Sequence, residues 1–72
     1  MKRIVVERVG FNTTEETQIA PGATVEDVLK QLKLGGHVLK MDPGKFHLRP
    51  SDNLYDKVTD GQKVFVVSIT LG

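Results

Sequence analysis

The sequence predicts an α+β fold, one helix packed on a mixed sheet of four to five strands. Three observations carry this. Ala20–Leu34 is the only stretch with strong helical apolar spacing; most of what flanks it is strand and turn; and Gln62–Thr70 is the most β-like run in the chain. A lone helix has one stripe to bury, so the sheet must cover it.

Taken in order, Arg3 to Val9 reads as a first strand, rich in β-branched residues. Ile4 and Val6 point one way, Val5 and Val9 the other. Gly10-Phe11-Asn12-Thr13-Thr14 has the composition of a turn. Glu15 to Ala20 is a second strand, with Thr17 and Ile19 sharing a face, and an antiparallel hairpin is its simplest arrangement with the first. Pro21-Gly22 ends it. In the helix, Val25, Val28, Leu29 and Leu32 form the apolar stripe, while Glu26, Asp27, Lys30, Gln31 and Lys33 take the other face. Thr24 is placed to cap the N-terminus, with Asp27 as the acidic half of a capping box. Glu26 and Asp27 favour the positive end of the helix dipole, and Lys30 and Lys33 the negative end. Gly35-Gly36 is the expected stop.

Beyond it, His37 to Met41 is a short strand and Asp42-Pro43-Gly44-Lys45 has the pattern of a type II turn. Phe46-His47-Leu48 is read as a brief strand pairing back. Arg49 to Asp60 is polar and irregular, with Leu54, Tyr55 and Val58 expected to plug the open end of the core. Asp60-Gly61 is a further turn before the final strand. The order is β-β-α-β-β-β. The last strand is expected to lie parallel to the first in the middle of the sheet, which is a β-grasp arrangement.

Composition sets the outer limits. Seventy-two residues make one small domain, residues 1–72, with no room for both a core and a deep pocket. A chain this short buries only about 60% of its unfolded surface, so modest stability is expected. Ten basic and nine acidic residues give a net charge of +1, without the basic stripe that nucleic-acid binding requires. The chain has no cysteine, which removes disulfides, thiolate metal sites and cysteine nucleophiles from consideration. The N-terminus starts like a signal peptide, but Glu7 ends the apolar run after Ile4-Val5-Val6. No apolar run approaches the ~20 residues of a membrane helix. A soluble cytoplasmic protein, bound to neither membrane nor nucleic acid, is the expectation.

Several segments carry a family resemblance. Gln18–Val28 resembles the strand-to-helix junction of ubiquitin and its relatives, with an apolar residue, a proline, a small turn and a threonine cap before a Val-rich helix. Pro43-Gly44-Lys45 resembles the turn between that family's two short strands, and Asp52–Asp56 the loop in which a Leu and a Tyr close the core. Asp60-Gly61 and the Val-rich strand after it resemble the last loop and strand, a pattern shared with sulfur carriers and TGS domains. The resemblance covers nearly the whole chain and implies the ubiquitin-like β-grasp superfamily. It does not choose a function within it.

Periodicity leaves the two faces of the last strand open, because Val64 and Val66 alternate with Phe65 and Val67 and all are apolar. The resemblance implies that Phe65 and Val67 face outward, in the positions where ubiquitin presents an apolar patch to its partners, with Val5 and Lys40 on its border. Conjugated and sulfur-carrying relatives work through a C-terminal Gly-Gly tail that passes through an enzyme's narrow channel. Here Gly72 is preceded by Leu71, a bulkier residue than that channel takes. The expected function is therefore non-catalytic: a protein bound by protein partners through Phe65, Val67, Val5 and Lys40. The alternative is a modifier or sulfur carrier activated at Gly72 by an activating enzyme. A third class, a ligand-binding regulatory domain, has no pocket-forming polar cluster in its favour.

Other residues read as structure. His37 and His47 lack a third ligand, so no metal or other cofactor is expected. Asp52, Asp56 and Asp60 recur every four residues without the spacing of a calcium loop, and suit turns and caps instead. Ser51 and Ser68 have no nucleophile motif around them, and neither Pro21-Gly22 nor Gly35-Gly36 is a phosphate loop. Lys45 is read as an ordinary turn lysine.

Overall fold

The structure, a computed structural model, describes residues 1–11, 13–42 and 44–69. Its elements are strand β1 (Lys2–Arg8), β2 (Thr13–Ile19), helix α1 (Val25–Gln31), β3 (His37–Lys40), helix α2 (Leu54–Lys57) and β4 (Gln62–Ser68). They form a four-stranded sheet in the order β2-β1-β4-β3. β1 pairs antiparallel with β2 and parallel with β4, and β3 pairs antiparallel with β4. The first and last strands are therefore central and parallel, which the crossing helix makes possible by returning the chain to the same end of the sheet.

Alternation decides what is buried. Ile4 and Val6 of β1, Leu39 of β3 and Val64 and Val66 of β4 face the helix and are almost wholly inaccessible. Val25 and Val28 meet them from α1, with Leu29 and Leu32 half-buried at its margin. Thr24 caps α1 as its sequence requires. Its hydroxyl accepts from Asp27 N–H at 3.2 Å, and Asp27 Oδ2 accepts from Thr24 N–H at 3.1 Å.

The helix stops earlier than its glycines suggest. Leu32 is the C-cap, and Lys33, not glycine, takes the left-handed turn at φ 58°. Lys33 N–H donates to Lys30 O and Leu34 N–H to Leu29 O, the bond pair of a Schellman motif. The motif folds Leu34 back into the core, where it is 7% exposed. Burying that leucine fixes the turn, and Gly35 and Gly36 merely follow it.

Three other expectations are corrected. Phe46–Leu48 forms no strand: Phe46 is 95% exposed, and Leu48 N–H, donating to Leu39 O at 2.8 Å, is the segment's backbone bond to β3 among the described residues. The sheet accordingly has four strands. The segment expected to be irregular contains α2, capped by Asn53, whose side chain accepts from Asp56 N–H at 3.1 Å. Strand β2 starts at Thr13, before Glu15, because pairing with Arg8 extends it. Leu54 and Val58 are buried and Tyr55 packs beside them, closing the core's open end. Asp42 and Lys45 close the turn between them with a 3.0 Å backbone bond, while Pro43 lies outside the described residues, as does Asn12 of the first turn.

A candidate interaction surface on the outward sheet face

Every residue that buries its neighbour in these strands turns itself outward. With Ile4, Val6, Val64, Val66 and Leu39 inside, the opposite face carries Arg3, Val5 and Glu7 from β1, Lys63, Phe65 and Val67 from β4, and Val38 and Lys40 from β3. Register then fixes who meets whom. Phe65 stands between Glu7 and Lys40, Val67 stands opposite Val38, and Val5 stands opposite Lys63. Val9 N–H donates to Val66 O at 3.0 Å, which carries the β1–β4 pairing on to an exposed Val9. Phe65, Val67, Val5, Val38 and Lys40 are all half-buried, flanked by neighbouring strands, and no described element packs over them.

The electrostatics around this patch are nearly cancelled. Lys63 Nζ lies 3.0 Å from Glu7 Oε1, and Arg3 Nε lies 3.7 Å from Glu16 Oε1. Lys40 has no ion pair among the described residues, so its charge is available beside Phe65. An aromatic ring set among valines, with a free cation on its rim, has the composition of a protein-docking surface.

The structure thus puts Phe65, Val67 and Lys40 in contact range through adjacent strands, with Val5 one step along the sheet. It adds Val38 and Val9, which the sequence reading left out. Val38 was legible: with Leu39 committed to the core, strand alternation puts Val38 and Lys40 on the same outward face. Gly72, the alternative site, lies outside the described residues, together with Thr70 and Leu71. His37 and His47 do not form a pair of strand neighbours, because the second strand is missing; His37 Nδ1 sits 3.2 Å from Gly35 O. Among the described residues, no three His, Asp or Glu side chains gather in a way that would hold a metal ion. Asp52 acts locally, accepting from Arg49 N–H at 2.8 Å, whereas Asp60 ties the last turn to the first strand by accepting from Arg3 N–H at 2.7 Å.

A mixed four-stranded sheet with parallel central strands, gripping one capped helix, is a β-grasp domain. Comparison with solved structures makes this more specific: the chain has the ubiquitin-like β-grasp fold. It superposes on the UBL domain of Plasmodium falciparum Dsk2 with a TM-score of 0.72 at 18% identity, covering 93% of this chain and 96% of that one. It superposes on the ubiquitin of Caldiarchaeum subterraneum with a TM-score of 0.71 at 26% identity, covering 99% and 96%. A ubiquitin-like protein from the same hyperthermophilic archaeon gives a TM-score of 0.54 at 26% identity, covering 97% and 99%. No family model and no curated protein sequence matches the chain. Among the described residues, no helix is long and apolar enough to cross a membrane.

Proposed function

We propose that residues 1–72 act as one non-catalytic ubiquitin-like domain, bound by a protein partner in the cytoplasm through the outward sheet face. The observation that carries this is the placement of Phe65 between Glu7 and Lys40, with Val67 and Val38 continuing the apolar surface. A half-covered aromatic on a flat, rigid sheet gives a partner a preorganised anchor whose burial expels water at little conformational cost. The free ammonium of Lys40 adds preference for a partner with a carboxylate at the matching rim position.

The test is capture of a partner from host lysate by the wild-type chain and three variants. Phe65→Ala and Lys40→Glu should lose it, and Lys57→Glu, at an exposed position of α2, should keep it, with circular dichroism showing all three folded. Undiminished capture by a folded Phe65→Ala chain rejects the reading.

A second reading is favoured by the 26% identity to an archaeal ubiquitin over 99% of this chain. In it, Gly72 is adenylated by an activating enzyme and passed to a thiol, an amine or sulfide. Intact-mass analysis after incubation with host lysate and ATP tests it. A thiocarboxylate or adduct lost on deleting Gly72 supports it, and an unchanged mass with a competent activating enzyme present rejects it.

A further inference from the structure

The outward sheet face carries an arrangement of charge that its composition does not show. Across β1, β4 and β3, one row reads Glu7, Phe65, Lys40, with an acid on one side of the ring and a base on the other. The next row is apolar throughout. Val38 is the register partner of Val67, and on the other side Val9 follows Arg8, whose own partner is Val66. Both rows are centred on β4.

Such a face is complementary to itself. A two-fold axis along β4 lays two sheets face to face and exchanges the flanking strands, so that β1 of each copy covers β3 of the other. Phe65 then meets Phe65, Val67 meets Val67, and Val9 meets Val38. Glu7 meets Lys40 of the second copy, and the pair recurs on the far side of the axis, because an isologous interface makes each such contact twice. An axis across the strands would instead set Lys40 on Lys40 and Glu7 on Glu7, and like charges oppose it. Face-packed sheets lie about 10 Å apart with their side chains interleaved, which brings lysine and glutamate heads within reach of each other.

The two charges are available for this exchange. Lys40 has no ion pair among the described residues. Glu7 holds Lys63 Nζ through Oε1 at 3.0 Å, and its other oxygen can accept from a further cation.

We infer that the outward face binds a second copy of this chain, as a two-fold dimer about β4. This rests on the reading of that face as a docking surface and names one occupant for it. The two rows cover roughly 10 by 7 Å between backbone positions. That is far below the about 800 Å² per partner of a standard interface, so the dimer is weak and dissociates on dilution.

The ¹⁵N-labelled full chain, diluted from about 1 mM and followed by NMR and sedimentation equilibrium, tests this. Concentration-dependent shifts confined to the two rows are expected. Lys40→Glu and Glu7→Lys should each weaken self-association about tenfold or more. An equimolar mixture of the two variants should recover most of it, since each then supplies the charge that the other lacks. A wild-type chain that stays monomeric at about 1 mM, or a mixture that stays monomeric, overturns the proposal. If Glu7→Lys fails to fold, the loss in Lys40→Glu and isotope-filtered contacts between Val9 of one copy and Val38 of the other decide. The two readings of this face fail separately. A monomeric wild-type chain whose lysate capture is lost in Phe65→Ala overturns the dimer and leaves the docking reading. Undiminished capture by a folded Phe65→Ala chain that no longer self-associates does the reverse.

Discussion

Lys2 and Tyr55, 53 positions apart, are joined through both backbone and ring. Lys2 Nζ donates to Tyr55 O at 2.7 Å and to Val58 O at 2.9 Å, and it lies 4.2 Å from the centre of the Tyr55 ring. These carbonyls belong to the end of α2, which is too short to satisfy its own last acceptors. A cation at a helix C-terminus is favourable both to the dipole and to the unpaired oxygens. The first strand thereby anchors the segment whose Leu54 and Val58 close the core.

Lys2→Met keeps the aliphatic stem and removes the donor. It should destabilise the fold by about 1–2 kcal/mol, since hydrogen bonds from a charged group are worth about 1.5–3 kcal/mol and this one is partly solvated. A lower urea midpoint with an unchanged slope is the expected result.

Lys33 carries the left-handed strain at the end of α1. Lys33→Gly should stabilise the protein by about 0.5–1 kcal/mol, the relief of the Cβ penalty less the added unfolded-state entropy. Gly22→Ala, at φ 86°, should destabilise it, although nothing lies within 4 Å of the added methyl. Thermal melts of the two variants should move in opposite directions.

Asp27 sets an acid response. Its carboxyl is held below the ordinary value of 3.8, first by the Thr24 backbone N–H and then by the Thr24 side chain. A carboxyl with a depressed native pKa contributes stability above its unfolded value and loses it as pH falls through the native one. The loss therefore runs from about pH 3.8 downward. Asp27→Asn should flatten this part of the stability–pH curve. Thr24→Ala should lower stability at neutral pH by about 0.5–2 kcal/mol through loss of the cap.

Val66 and Phe65 separate the two faces of β4. Val66→Ala removes two buried methyl groups' worth of packing and should cost about 2 kcal/mol. Phe65→Ala removes a half-covered ring and should cost less in folding while abolishing partner capture. Denaturant midpoints measured alongside the capture assay check both expectations. If Phe65→Ala proves the more destabilising, the ring contributes to the fold rather than to an interface.

The α1 stripe and its Thr24–Asp27 cap were legible because each rests on local periodicity or local hydrogen bonding, and β1 and β4 were legible as strands from their runs of β-branched residues. α2 was not, because four residues carry no period; it exists through Asn53 below it and Lys2 above it. The end of α1 misled for a related reason. Glycine is the cheapest residue for a left-handed turn, but the burial of Leu34 outweighed that preference and placed the turn on Lys33. Phe46 has strand propensity and no partner strand, so propensity alone predicted pairing that does not occur.

The sequence by itself determined the α+β class, the helix and its start, and two apolar faces on the last strand. It did not determine which of those faces is buried. That follows from a tertiary fact, the parallel register that sets Val64 against Val6 and Val66 against Arg8 on the helix side, and so turns Phe65 outward between Glu7 and Lys40. Nor did it show the end of the hairpin, where the buried Arg8 Nε has no partner among the described residues. Alternation and capping are short-range and can be read along one chain; register, and the length at which a helix stops covering a sheet, are settled only when distant segments compete for the same core.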